Sequence, residues 1–300
     1  MTRILTSGIT VIDIMLPVDR LPSGDCKTLA TGRQDVIGGI AANAALTVKR
    51  LGGTPVLSTR LGDDSTGEEI MRQLTAAGID TRAVEWVNGA RSSLTAAIVD
   101  AHGARMLINH TDAHLHHGPP DLDGIEVDGV ITDTRWLDGA FASLRHARER
   151  GLPGLLDYDM PPDDNLRSWE LIAEASHVAF GAQGLRLLTG IDDPAAGLAA
   201  VRERFAGWIA VTCGGDGVYW LEGDRVRHLP AFRVNVVDTL AAGDVFHGAL
   251  ALALAEGMEM HEALRFASGA AAIKCMHFGG GAGIPTRAEL DRFLAEHGRA

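Results

Sequence analysis

Between residues 129 and 214 the chain reads Gly129-Val-Ile-Thr-Asp133, Gly154-Leu-Leu-Asp-Tyr-Asp159, His177-Val-Ala-Phe-Gly181 and Trp208-Ile-Ala-Val-Thr-Cys-Gly214. Each is a short apolar run that ends in Gly or Asp, as a buried strand running into a turn does. Amphipathic stretches at 137–150 and 167–175 lie between them and have helical length. Strands separated by helices imply a parallel sheet covered on both faces. Working outward, residues 3–9 read as a first strand ending near Gly8, and Gly38-Gly39 opens an alanine-rich helix. Residues 55–62 read as a strand and turn, and the helix after Gly62 is closed by Gly78. Residues 93–109 give two strands around a turn at 100–103, and 24–37 give short alternating stretches suited to a small sheet. A hairpin follows Gly214 and reaches Trp220, and residues 245–277 form two helical runs. The reading is one α/β domain over 1–300, with a small strand-built lid drawn from about 14–37 and 90–112.

Bulk properties narrow the function classes. With 300 residues, 46% hydrophobic and 22% charged, the chain has an ordinary globular balance. A formal net charge of -12 disfavours a general nucleic-acid or anionic-membrane binder. Only Lys27, Lys49 and Lys274 are lysine, so a phosphate site must rely on arginine, backbone amides or metal. Cys26, Cys213 and Cys275 are far apart, which excludes a CxxC zinc site and favours reduced thiols in a cytoplasmic setting. The start lacks a signal-peptide pattern, and no apolar run approaches a membrane span.

The chemistry sits in Val237-Asp238-Thr239-Leu240-Ala241-Ala242-Gly243-Asp244, followed by an apolar helix. Small residues at 241–243 let backbone approach a ligand closely. A helix start offers unpaired N–H groups and the positive end of the dipole, which suit phosphate. Asp244 in the first turn could take a hydroxyl proton while those amides hold charge on a transferring phosphoryl group. Local physics equally allows Asp238 or Asp244 to be a plain helix cap.

The segment 238–244 resembles the DTxGAGD/DTxAAGD signature of the ribokinase (PfkB-type) family. Gly38-Gly39-Ile-Ala-Ala-Asn43, Arg50-Leu-Gly52 and Gly62-Asp63-Asp64-xx-Gly67 are similar to its other signature, in the family's order. Gly8-Ile-Thr-Val-Ile-Asp13 resembles its first strand, and Val211-Thr212-Cys-Gly214-Gly-Asp-Gly217 its nucleotide-binding turn. The resemblance implies a doubly wound, mostly parallel sheet with a small β lid. It implies ATP as donor with Mg2+, a small sugar as acceptor, and Asp244 as catalytic base. The amides of Ala241, Ala242 and Gly243 would form the anion hole. Asp13, Gly39 and Asn43 would hold the sugar, and Thr212, Gly214 and Gly217 the nucleotide. The resemblance further implies a homodimer, with the adenine and a monovalent cation near 279–283.

One departure concerns the metal. Many members carry Asn-x-x-Glu before a Leu-Thr-Gly; here Gly181-Ala-Gln-Gly184 precedes Leu188-Thr189-Gly190. The residues that hold magnesium are therefore not assigned, Asp157 and Asp159 being carboxylates that could assist. This leaves a non-catalytic nucleotide- or sugar-binding protein as the alternative. Several segments, among them Thr134-Arg135-Trp136, Leu107-Ile108-Asn109 and Lys274-Cys275, are closer to the sulfofructose kinase subgroup. By that likeness Lys27, Asn109 and Arg135 would surround an anionic group, and 6-deoxy-6-sulfofructose would be phosphorylated at O1. Ribose, a fructose or tagatose phosphate and 2-keto-3-deoxygluconate are alternatives. No GxxxxGK[ST], dinucleotide-type GxGxxG or GxSxG is present. The histidines at 110, 114, 116 and 117 read as a solvated loop, with His110 placed beside the sugar, and His247 reads as equally suited to ligand contact or to structure.

Overall fold

The computed structural model describes residues 1–100, 104–160 and 165–298, so the turn expected at 100–103 lies largely outside the described residues. The strands are β1 (Arg3–Ser7), β2 (Val11–Val18), β3 (Gln34–Gly38), β4 (Thr54–Gly62), β5 (Asp80–Val87), β6 (Leu94–Asp100) and β7 (Arg105–His110). They continue with β8 (Gly129–Thr132), β9 (Gly154–Tyr158), β10 (His177–Gly181), β11 (Trp208–Thr212), β12 (Val218–Glu222) and β13 (Arg225–Leu229). The helices are α1 (Ile40–Arg50), α2 (Ser65–Ala76), α3 (Leu137–Glu149), α4 (Asn165–Glu174), α5 (Ala182–Thr189), α6 (Pro194–Arg202), α7 (Ala242–Ala255), α8 (Met260–Cys275) and α9 (Arg287–Glu296).

The large sheet has the order β13-β12-β11-β10-β9-β8-β1-β4-β5. Pairings from β11 across to β5 are parallel, and the β12–β13 hairpin closes one edge antiparallel. Period-2 alternation sends neighbouring residues to opposite faces. Leu155, Ala179 and Ala210 pack under α7 and α8, whereas Leu156, Phe180 and Val211 pack in the other hydrophobic cluster, which includes residues of α3 to α6. Both faces are therefore covered. Helix α7 is buried over Val245–Ala253, which is why its sequence is apolar all round.

From β1 the chain builds outward through β4 and β5, then resumes at β8 on the other side of β1. The order thus reverses between β1 and β8, and such a reversal opens a crevice beyond the carboxyl ends of the strands. A separate four-stranded sheet, β3-β2-β6-β7, has β2 parallel to β6 and its other pairs antiparallel.

Three expectations change. The first strand ends at Ser7, near Gly8 as read, but Asp13 does not belong to it and lies in β2 of the small sheet. Within 24–37 only β3 forms; residues 23–33 are exposed and carry no apolar face to bury. Strand β5 went unread between the helix at Gly78 and the lid strands. It is an edge strand with partial burial, and it lacks a clean alternation.

Candidate active site

Two neighbouring hollows share the segment 239–244. A cleft of about 610 Å3 between the sheets is lined by Asp13, Gly39, Asn43, Asn109, Arg135 and Asp159, together with Ala241 and Asp244. A second hollow of about 330 Å3 is lined by Thr212, Gly214, Gly217, Thr239, Ala242 and Gly243. Asp244 and Ala241 thus face one hollow, Ala242 and Gly243 the other, and Lys27 lines neither.

Two glycines shape the first cleft. Gly39 has φ +91°, and a Cβ there would lie 2.6 Å from the Ile9 carbonyl. At Gly38 a Cβ would sit 2.0 Å from Asp13 Oδ2, so this glycine makes room for the carboxylate. Burial raises the Asp13 pKa, against a hydrogen bond with Thr95. Asn43, buried on α1, donates from Nδ2 to Asp244 Oδ2 at 2.7 Å. Its Oδ1 has no partner among the described residues, which leaves it free to accept from a hydroxyl.

Asp244 lies in the first turn of α7. Its packed surroundings push its pKa up to about 6; the nearby Asp157 charge adds to this and the Asn43 donor opposes it. A carboxylate so poised is ionised at neutral pH yet basic enough to take a proton. The preceding turn is strained: Ala241 has φ 62°, the one non-glycine residue with positive φ among those described. This kink aims the start of α7 at the second hollow. Ala242 N–H donates to Thr239 O at 3.2 Å, so this amide of the expected anion hole has a partner already. Val245 N–H is bonded to Ala241 O, while no backbone acceptor among the described residues takes the amides of Gly243 and Asp244.

Under Asp244 lies a pair that the sequence did not join. His247 Nδ1 is 2.6 Å from Asp157 Oδ2, with both side chains almost fully buried. The contact is an ion pair rather than an aligned hydrogen bond, and His247 Nε2 has no partner among the described residues. Burial acts to lower the His247 pKa, but Asp157, Asp244 and Asp159 outweigh it and the pKa is raised. Asp133 closes β8: its Oδ2 accepts from Ile9 N–H and its Oδ1 from Arg135 N–H, while burial raises its pKa to about 7. No local signal separates these long-range contacts from ordinary strand-end carboxylates.

The anion trio is not assembled. Asn109 and Arg135 line the cleft, but the Arg135 guanidinium donates to Asp159 Oδ2 at 3.0 Å. Lys27 is exposed in the loop between β2 and β3 and does not line the cleft. His110 does not line it either; Thr111 does. His114 is 3.2 Å from Asp112, and His116 packs near Trp136, with burial lowering its pKa to about 4.

The second hollow is shaped by backbone. Cys213 N–H donates to Gly217 O at 2.8 Å, closing the turn at 214–216. Gly217 has φ +97°, and a Cβ there would meet Leu229 O at 2.1 Å. Phe232, Val234, Val236, Ala271 and Cys275 give this hollow its apolar wall. The irregular stretch 230–236 carried no pattern that would have found them.

A model of the pfkB family carbohydrate kinases matches residues 1–287. The ribokinase of Bacillus subtilis is 30% identical over 301 aligned residues, which cover 98% of this chain and all of the relative. An ATP-dependent ribose-1-phosphate kinase of Halopiger xanaduensis is 29% identical over 99% of both chains. A solved structure from Agrobacterium tumefaciens, provisionally described as a ribokinase, superposes with a TM-score of 0.94 at 37% identity, covering 99% of this chain and 98% of that one. The chain belongs to the pfkB family of carbohydrate kinases: it is a sugar kinase, a phosphotransferase with an alcohol group as acceptor.

Proposed function

We propose that the protein transfers the γ-phosphate of ATP to a primary hydroxyl of a small sugar, with Asp244 as general base. The observation that carries this reading is the position of Asp244, hydrogen-bonded by Asn43 at 2.7 Å, where the two hollows meet. The sugar lies in the cleft with hydroxyls on Asp13 and Asn43. Asp244 takes the proton of the attacking hydroxyl as the new O–P bond forms and the bond between the γ-phosphorus and the bridging oxygen breaks. ADP leaves with the bridging oxygen. The free amides at the start of α7 face the charge on the moving phosphoryl group.

Magnesium would come with the nucleotide and neutralise phosphate charge. Among the described residues no three His, Cys, Asp or Glu side chains form a metal cage. The unpartnered Asp157 Oδ1 and Asp159 Oδ1 fit a looser hold through water, the usual manner for this ion.

The charges of the cleft favour a neutral sugar such as ribose. Asp13, Asp159 and Asp244 line it, and its arginine is already paired. Relatives named ribokinase and deoxyribokinase point the same way. The second reading is an anionic ketose, 6-deoxy-6-sulfofructose first, and rests on Arg135 and Asn109 lining one cleft. It requires Arg135 to exchange Asp159 for the ligand. ADP release with Mg-ATP should be measured against ribose, deoxyribose, fructose, fructose 6-phosphate, 6-deoxy-6-sulfofructose and 2-keto-3-deoxygluconate. Turnover on ribose-type sugars is expected; a strong preference for sulfofructose that is lost in Arg135→Ala would establish the second reading. ATP binding without turnover on any sugar would leave a non-catalytic binder.

The small sheet would act as the lid over the sugar. Its edge strand β7 leaves Met106, Leu107 and Ile108 exposed at 39%, 43% and 56%, an apolar edge suited to the lid of a second copy. A cytoplasmic setting would supply the ATP. Light scattering of the purified protein tests the dimer.

A further inference from the structure

Lys274 lies in the last turn of α8 with no exposed surface, in a chain that has only three lysines. A buried ammonium is costly unless it is paired and hydrogen-bonded. Its Nζ donates to the Asp238 carbonyl at 3.0 Å and lies 3.5 Å from Asp238 Oδ2. The same carboxylate joins several segments. Its Oδ1 accepts from Leu240 N–H at 2.9 Å and its Oδ2 from Gly279 N–H at 3.0 Å. Arg105 on β7 stands 3.3 Å from Oδ1. The Val237 and Asp238 amides donate to Cys275 O at 2.8 and 3.2 Å. The end of α8, the loop before α7, the glycine loop at 279 and the lid strand therefore meet around one residue.

Directly after this junction come the strained Ala241 and the amides that face the phosphoryl group. Loss of the ammonium would leave Arg105 as the remaining cation at this carboxylate and remove the bond that holds the Asp238 carbonyl. The family resemblance placed a monovalent cation near 279–283. Here the Lys274 ammonium already stands against the Asp238 carbonyl and Oδ2, beside the Gly279 amide, and so supplies at that point the single positive charge a free ion would bring. Burial pushes the Lys274 pKa down, and the Asp238 charge opposes this.

We propose that Lys274 is a tethered cation that replaces a free monovalent ion and positions the phosphate-facing loop 238–244. The inference rests on the kinase reading of that loop. Lys274 is a positioning residue, acting through Asp238.

The test uses the full-length protein and Lys274→Met, which keeps the volume and removes the charge. Thermal unfolding is followed in tetramethylammonium chloride and in KCl, NaCl and NH4Cl at equal ionic strength, and turnover is measured in the same salts. The wild type should melt and turn over equally in all four. Lys274→Met should melt lower in tetramethylammonium and recover in a saturable way with K+ or NH4+, as expected for an ion that binds only the native state. Its kcat should fall about tenfold or more with sugar KM little changed, and recover with the same ions. Specific activation or stabilisation of the wild type by K+ would overturn the proposal. So would a variant that behaves as wild type without K+, or one that no cation restores. If Lys274→Met does not fold, the wild-type salt series decides alone. A wild type that phosphorylates no sugar would sink the kinase reading and leave the melting comparison in force.

Discussion

Asn43 Nδ2 and Asp244 Oδ2 stand 2.7 Å apart although 201 residues separate them in the chain. The contact depends on how closely α1 approaches α7. A Cβ at Gly248 would lie 2.9 Å from Ala44 Cα, so the glycine on α7 and the alanines on α1 let the two backbones nearly touch. Small residues in an apolar helix pair thus set the distance between the Asn43 amide and the Asp244 carboxylate.

If Asp244 is the base, its raised pKa should set the low-pH limit of activity. In the free enzyme kcat/KM should fall below about pH 6 with the loss of one ionised group. Asp244→Asn should lower kcat by about 100-fold or more while sugar and ATP binding are largely kept. An unchanged kcat would remove Asp244 from the chemistry. The folded carboxyl holds its proton to about pH 6 and the unfolded one releases it near 3.8, so ionisation costs stability above that window. Asp244→Asn should therefore be more stable than the wild type at pH 8, by about 1 kcal/mol. The difference should shrink below about pH 4. Denaturant titrations at both pH values check it.

His247→Ala leaves Asp157 buried without its cation. The cost should be about 3 kcal/mol of stability near neutral pH. Because the folded His247 pKa is raised, the pair's contribution is fully present below the ordinary imidazole value and lost as pH rises through the folded value. The penalty of the variant should accordingly be larger at pH 6 than at pH 9. Equal penalties at both would mean that the imidazole is neutral in the pair.

Ala241→Gly removes a left-handed alanine. A non-glycine residue there costs about 1 kcal/mol, partly offset by the greater freedom of glycine in the unfolded chain. A small rise in melting temperature with kcat retained is the expected result, whereas Ala241→Val should be clearly less stable. A glycine variant that melts lower would show that the methyl group is needed for packing.

Gly38→Ala should act on the sugar and not on the nucleotide. The added methyl would lie 2.0 Å from Asp13 Oδ2 and must displace that carboxylate. Sugar KM should rise about tenfold with ATP KM unchanged. A proportional loss on both substrates would point to general misfolding instead.

The sequence was most legible where chemistry is local. Short continuous apolar runs between helices point to a parallel sheet with two covered faces, and the glycines at 39, 214 and 217 mark backbone positions that glycine adopts most easily. The segment 238–244 stood out because a helix start with small residues and an acid suits phosphate, but local physics equally allowed a plain cap, and the family resemblance carried the reading. Strand β5 escaped because a partly buried edge need not alternate.

What the sequence could not contain is the partner of each charge. Arg135 read as a ligand for an anion, and the fold gives it Asp159 at 3.0 Å. Lys27 read as its companion, and the fold leaves it exposed on a loop. Lys274 read as one of three lysines and as part of a subgroup likeness, with no partner assigned, yet α8 delivers it to Asp238 with no exposed surface. Local order follows from side-chain size and periodicity, which are properties of neighbours along the chain. The charge state and task of a buried group depend on which distant group folding sets 3 Å away, and only the tertiary structure decides that.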